Sequence, residues 1–105
     1  MNIKTITVKE LQALKECDAD FTLIDVREPW EYEVSNLGGK LIPLSELPER
    51  LGELDANKKT IVHCLAGGRS SRATAFLQEH GFTNVFNLHG GLKAWVAEID
   101  PNLPL

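Results

Sequence analysis

A chain of 105 residues suits one buried core and is too short for two, and 43% apolar with 25% charged residues is the balance of a folded globular protein. The formal charge of −4 at pH 7, with no basic cluster, argues against a nucleic-acid or anionic-membrane surface but leaves room for a local basic pocket. No run approaches the ~18 apolar residues of a membrane span and the polar start MNIKTITVKE has no signal-peptide core, so a cytoplasmic setting is expected, with Cys17 and Cys64 as free thiols.

Val8, Leu11 and Leu14 recur at helical spacing with polar residues between them, which predicts a first amphipathic helix. Phe21 to Val26 is a short run of strand formers, and Leu41-Ile42 marks another strand ended by Pro43. Leu44, Leu47, Leu51 and Leu54 then fit one helix face, with Ser45 as its cap and Pro48 early enough to be tolerated. Thr60 to His63 is a strand. Ser70 to His80 reads as a helix with Ala73, Phe76 and Leu77 inward, and Gly81 stands where a helix stop belongs. Asn84 to Leu88 is the last strand, and Leu92, Trp95, Val96 and Ile99 form a final helical stripe before Asp100-Pro101. Strands and helices alternate and the strands are largely apolar, the pattern of a parallel sheet covered on both faces. Ligands of such sheets bind outside the carboxyl ends of the strands.

One segment lies at such an end. Cys64 follows a strand and precedes a helix, with Leu65-Ala66-Gly67-Gly68-Arg69 between. An unperturbed thiol is only about 3% ionised at pH 7. Here the N–H groups of a tight turn and the positive end of a helix beginning near Ser70 can favour the thiolate, since each charge-assisted hydrogen bond is worth about 1.5–3 kcal/mol. Gly67 and Gly68 permit the positive φ angles of such a cradle, and Arg69 adds a charge able to orient an anionic substrate. The plainer alternative is a buried structural cysteine ahead of a glycine turn.

Cys64-Leu65-Ala66-Gly67-Gly68-Arg69 resembles the active-site loop of the rhodanese family. IDVREPWEYE, LIPLSEL and NVFNLHGGLKAW resemble further signatures of that family in the same order, so the likeness spans essentially the whole chain. It implies a single rhodanese-like domain over residues 1–105, an α/β three-layer fold with a central, mainly parallel five-stranded sheet and helices on both faces. One departure stands out. Many members carry a Gly-His-hydrophobic-Pro-Gly run where this chain has Ser35-Asn36-Leu37-Gly38-Gly39.

The resemblance also implies a double displacement without metal or organic cofactor. The Cys64 thiolate takes the outer sulfur of a small anionic donor, thiosulfate or a persulfide. The loop amides from Leu65 to Ser70 hold the resulting persulfide, with Arg69 assisting an anionic donor. A nucleophilic acceptor (cyanide, a thiol or a sulfur-carrier protein) then removes the outer sulfur. The rival reading is a Cys-dependent phosphatase or arsenate reductase, but phosphatases related to this fold have one more residue between cysteine and arginine than the four found here, and the shorter loop closes around one sulfur rather than a phosphate or arsenate. The closing WVAEIDPNLP is similar to rhodanese domains at the carboxyl end of molybdopterin- and thiamine-synthesis adenylyltransferases. That implies a relay reading, a domain of a longer protein fed by a cysteine desulfurase. A non-catalytic binding module is the third reading, which an intact Cys64 loop argues against.

Other residues divide between roles. Asp25 and Arg27 either shape the pocket or form a structural ion pair at a strand end. Glu28 and Trp30 are expected to be a helix start and its packing residue. Arg72 either adds potential at the pocket mouth or lies on a solvated helix face, and His89 is expected near the mouth. Nothing near Cys17 would activate it, and the histidines His63, His80 and His89 lack metal-ligand spacing with either cysteine.

Overall fold

The computed structural model describes residues 3–105. In chain order its elements are β1 (Thr5–Ile6), α1 (Val8–Glu16), β2 (Thr22–Asp25), α2 (Pro29–Val34), β3 (Lys40–Leu41), a 3-10 segment (Leu44–Glu53), β4 (Thr60–His63), α3 (Gly68–Glu79), β5 (Val85–Leu88) and α4 (Gly91–Glu98). The strands form one sheet in the order β1-β5-β4-β2-β3, and every pairing is parallel.

Successive residues of a strand point to opposite faces, and β4 supplies both cores in this way. Val62 joins Ile24, Leu47, Ala73, Leu77 and Val85 under α3 and the 3-10 segment. Ile61 joins Ile6, Val8, Leu11, Leu88, Leu92 and Trp95 under α1 and α4. Helical layers therefore cover both faces, as the apolar strands predict. In register, Asp25 of β2 lies beside His63 of β4, and Asn87 of β5 lies beside Val62. Cys64 thus emerges at the carboxyl end of the central strand, between two neighbours that end at nearly the same level.

Local chemistry explains the element ends. Thr7 caps α1 through a reciprocal box in which Thr7 Oγ1 accepts from the Glu10 N–H at 3.1 Å and Glu10 Oε1 accepts from the Thr7 N–H at 3.0 Å. Gly81, at φ 91°, ends α3 as expected.

Three expectations need correction, and one strand adds to them. The leucine spacing over residues 44–54 does bury Leu47, but the segment is a 3-10 helix, because Pro48 lies in its middle and supplies no N–H. Ser45 is inside that segment rather than capping it; Pro43 occupies the cap position. Glu28 does start α2, but Trp30 is 68% exposed and does not pack inward. β1 was not predicted, since two residues carry no period, and only pairing with β5 (Thr5 beside Asn87, Ile6 beside Leu88) makes them a strand. Phe76 is half-buried against the core that Ala73 and Leu77 fill.

Candidate active site

The loop between β4 and α3 turns on Gly67, whose φ of 111° is left-handed. Helix α3 therefore begins at Gly68, earlier than the expected start near Ser70, and Gly68 itself needs no positive φ. The first N–H groups of a helix have no partner within it. Here the Ser70 N–H, in the first turn, donates to Cys64 Sγ at 3.4 Å, and the Gly67 N–H does so at 3.1 Å. The Ser70 hydroxyl stands 3.3 Å from the same sulfur. A cysteine thus occupies the place an acidic cap would take, and the first turn of α3 contains no acidic side chain.

Cys64 is 1% exposed and lies on the floor of the loop, with these donors turned onto it. Burial pushes the thiol up, but hydrogen bonds from the Ser70 side chain and from the Ser70, Gly67 and Ala66 backbones outweigh it, and the net direction is down. The donors are therefore concentrated at Ala66, Gly67 and Ser70 rather than spread from Leu65 to Ser70.

Residues remote in sequence hold this loop. Leu92 N–H donates to the Cys64 carbonyl at 3.1 Å and Lys93 N–H to the Leu65 carbonyl at 3.0 Å, so the start of α4 fixes two successive peptide units. The approach is close enough that a Cβ on Gly91, at φ 58°, would lie 2.6 Å from each of those two oxygens. Asn87 accepts the Ser70 hydroxyl at Oδ1, 2.6 Å away, and its Nδ2 reaches the Gly67 carbonyl at 3.4 Å. Asn87 and Gly91 were missed in the sequence, although an asparagine inside the run VFNL and a glycine pair before a helix are both visible there.

Arg69 is not free. Its Nη1 and Nη2 donate to Glu31 Oε1 and Oε2 at 2.6 and 3.0 Å, a bidentate pair with a residue of α2 that sequence reasoning also missed. This pair holds the Glu31 carboxyl below the usual carboxylate range and Arg69 above its ordinary value. Asp25 and Arg27 form the structural ion pair. Arg27 donates through Nε and Nη2 to the Asp25 carboxylate at 2.8–3.1 Å and through Nη2 to the Ser35 carbonyl at 2.7 Å, all of it buried. His63 lies beneath, fully buried, 3.8 Å from Asp25 Oδ2, and neither ring nitrogen makes a hydrogen bond. Burial holds it down in pKa, hence neutral.

Two cavities flank the loop. One, of about 380 Å³, is lined by Val26, Glu28, Leu44, Ser45, Arg69 and Arg72, which sets Arg72, exposed on α3, in the same cavity wall as Arg69. The other, of about 120 Å³, is lined by Arg27, Trp30, Glu31, Val34, Leu65 and Leu105. The Arg69–Glu31 pair stands between them. His89 is exposed and lines neither. Cys17 is exposed at the end of α1, remote from any such loop. Among the described residues no group of three or more His, Cys, Asp or Glu converges on a possible metal position.

The fold and this loop define a class. Residues 7–98 match the family described as Rhodanese-like domain, and the chain belongs to it. The chain is 40% identical over 111 residues to rhodanese-like/PpiC domain-containing protein 12, chloroplastic, of Arabidopsis thaliana, covering 97% of this chain and 37% of that protein. It is 33% identical over 102 residues to the "Probable adenylyltransferase/sulfurtransferase MoeZ" of Mycobacterium tuberculosis, covering 94% of this chain and 26% of that one. The crystal structure of a rhodanese-related protein from Thermoplasma volcanium superposes with a TM-score of 0.80 at 34% identity, over 91% of this chain and 93% of that one. The chain thus spans about a third or less of the two curated relatives, and nearly all of the solved neighbour. Of these three, the name of MoeZ includes sulfur transfer, and the parallel α/β sheet is the fold shared with the solved neighbour.

Proposed function

We propose that the chain moves sulfane sulfur from thiosulfate or a persulfide to a nucleophilic acceptor through a persulfide on Cys64. The observation that carries this is the convergence of the Gly67 N–H, the Ser70 N–H and the Ser70 hydroxyl on one sulfur, at 3.1, 3.4 and 3.3 Å. Such a ring favours the thiolate that attacks and then the charged persulfide that waits. The thiolate displaces the donor's leaving group from its outer sulfur, and the acceptor reverses the exchange, so one transfer is divided into two. The role needs no metal or organic cofactor. The four residues between Cys64 and Arg69 suit a single sulfur better than a phosphate ester.

A relay role, with a cysteine desulfurase as source and a sulfur-carrier protein as acceptor, is supported by the likeness to MoeZ, a longer protein whose name couples adenylyl and sulfur transfer. Cytoplasmic action fits either reading. Intact and peptide mass spectrometry after incubation with a sulfane donor is the test. One added sulfur mass on Cys64, absent from Cys64→Ser and distinguished from the exposed Cys17, is the expected result. Hydrolysis of a phosphate ester with no sulfur on Cys64 would replace this reading with the phosphatase one. Thiosulfate:cyanide turnover set against loading from a desulfurase separates the free-standing enzyme from the relay.

A further inference from the structure

Glu31 belongs to no part of the sulfur-transfer chemistry, yet it takes the one cation that the loop between Cys64 and Ser70 carries. Its carboxylate is held firmly. Oε1 accepts Arg69 Nη1 at 2.6 Å and the Glu28 N–H at 3.0 Å, and Oε2 accepts Arg69 Nη2 at 3.0 Å. The Glu31 side chain is 11% exposed, so solvent and salt screen this pair less than a surface one. The other charges around the mouth balance in number. Arg27 is consumed by Asp25, and Arg72 shares its cavity with Glu28. Across both cavities and the Asp25 pair, Arg27, Arg69 and Arg72 face Asp25, Glu28 and Glu31, three charges of each sign.

A donor arriving as a dianion therefore meets a neutral mouth whose loop arginine is already engaged. We propose that Glu31 is a specificity-determining residue that, by holding Arg69 in this bidentate pair, biases Cys64 toward alkyl persulfides of low charge over thiosulfate. The inference rests on the sulfur-transfer reading above and names its donor class. The preferred step is attack of the Cys64 thiolate on the outer sulfur of R–S–SH. The new S–S bond forms as the old one breaks, the leaving R–S⁻ takes the electron pair and then the proton of the transferred sulfur, and Cys64 keeps a persulfide anion. With thiosulfate the same attack expels sulfite, which carries away two negative charges that no free cation of the loop attends. Neither step has a net change of redox state.

The test is the initial rate of sulfur loading on Cys64, by mass spectrometry, from thiosulfate and from cysteine persulfide in parallel. The wild-type chain is expected to load faster from cysteine persulfide. Glu31→Gln releases Arg69 and raises the thiosulfate-to-persulfide rate ratio about tenfold, the scale of one charge-assisted contact. Adding Arg69→Gln in the Glu31→Gln background removes that gain, because the released guanidinium is its source. Glu31→Asp, which withdraws the carboxylate by one methylene, gives a smaller rise and serves should the glutamine variant fold poorly. A ratio that ignores position 31 in either variant overturns the proposal, as does a gain that survives loss of Arg69. If neither donor loads sulfur onto wild-type Cys64, the sulfur-transfer reading itself fails, and the two failures are told apart.

Discussion

Replacing Ser70 with alanine probes the sulfur cradle at one atom. The hydroxyl lies 3.3 Å from Cys64 Sγ and 2.6 Å from Asn87 Oδ1, and it has a single hydrogen to give. While Cys64 is a thiol, that hydrogen goes to Asn87 and the S–H donates to the serine oxygen. Once the sulfur ionises, it takes the hydrogen and Asn87 Oδ1 loses it. The net preference for the thiolate is the charged bond, about 1.5–3 kcal/mol, less the neutral O–H bond to Asn87 that is released, about 0.5–1.5 kcal/mol, the S–H being too weak a donor to alter the sum. That leaves about 1.4 kcal/mol, or roughly a tenfold fall in thiolate fraction on the acid side when the hydroxyl is removed. A more basic thiolate is intrinsically about threefold more nucleophilic, which offsets part of the loss. Exchange of Cys64 with a small uncharged aromatic disulfide, followed against pH, should therefore slow about three- to fourfold where both proteins are still mostly thiol and quicken about threefold once both are ionised. The two profiles must cross. A Ser70→Ala profile that only scales, parallel to wild type at every pH, would refute the role given to this hydroxyl.

Two further substitutions test what holds the site. Asp25→Ala strands Arg27, whose Nε and Nη2 now donate to that carboxylate within a site 0% and 2% exposed, and should cost about 3–5 kcal/mol in denaturant unfolding. A loss below about 1 kcal/mol would mean that the pair is dispensable. Gly91→Ala places a Cβ 2.6 Å from the Cys64 and Leu65 carbonyl oxygens at a positive φ. Overpacking and the left-handed backbone together predict a loss of about 2–4 kcal/mol, with slower sulfur loading because both carbonyls must move. Retained stability and loading rate would show that α4 does not pin the loop.

What could be read locally came through with small boundary changes. Val8 and Leu11, Ala73 and Leu77, and Leu92 and Trp95 are buried because their spacing matches the helical period, and the apolar runs of β2, β4 and β5 are strands because parallel sheets are covered twice. Cys64 was legible because its partners, Gly67 and Ser70, lie within a few residues of it. The 3-10 conformation around Pro48 and the exposure of Trp30 were not, since leucine spacing does not reveal a missing donor and an aromatic ring does not announce whether a neighbour covers it.

Contacts and periods only a few residues long mark out Cys64, the glycine turn after it and the alternating order of strands and helices, because each of these is written in neighbouring residues. Long-range packing chose the residues that buttress the loop from behind. Parallel pairing brings Asn87 of β5 and the start of α4 under the loop, and α2 carries Glu31 across to Arg69, 38 residues away in the chain. Those encounters depend on the sheet order β1-β5-β4-β2-β3, a property of long-range packing that no local spacing encodes.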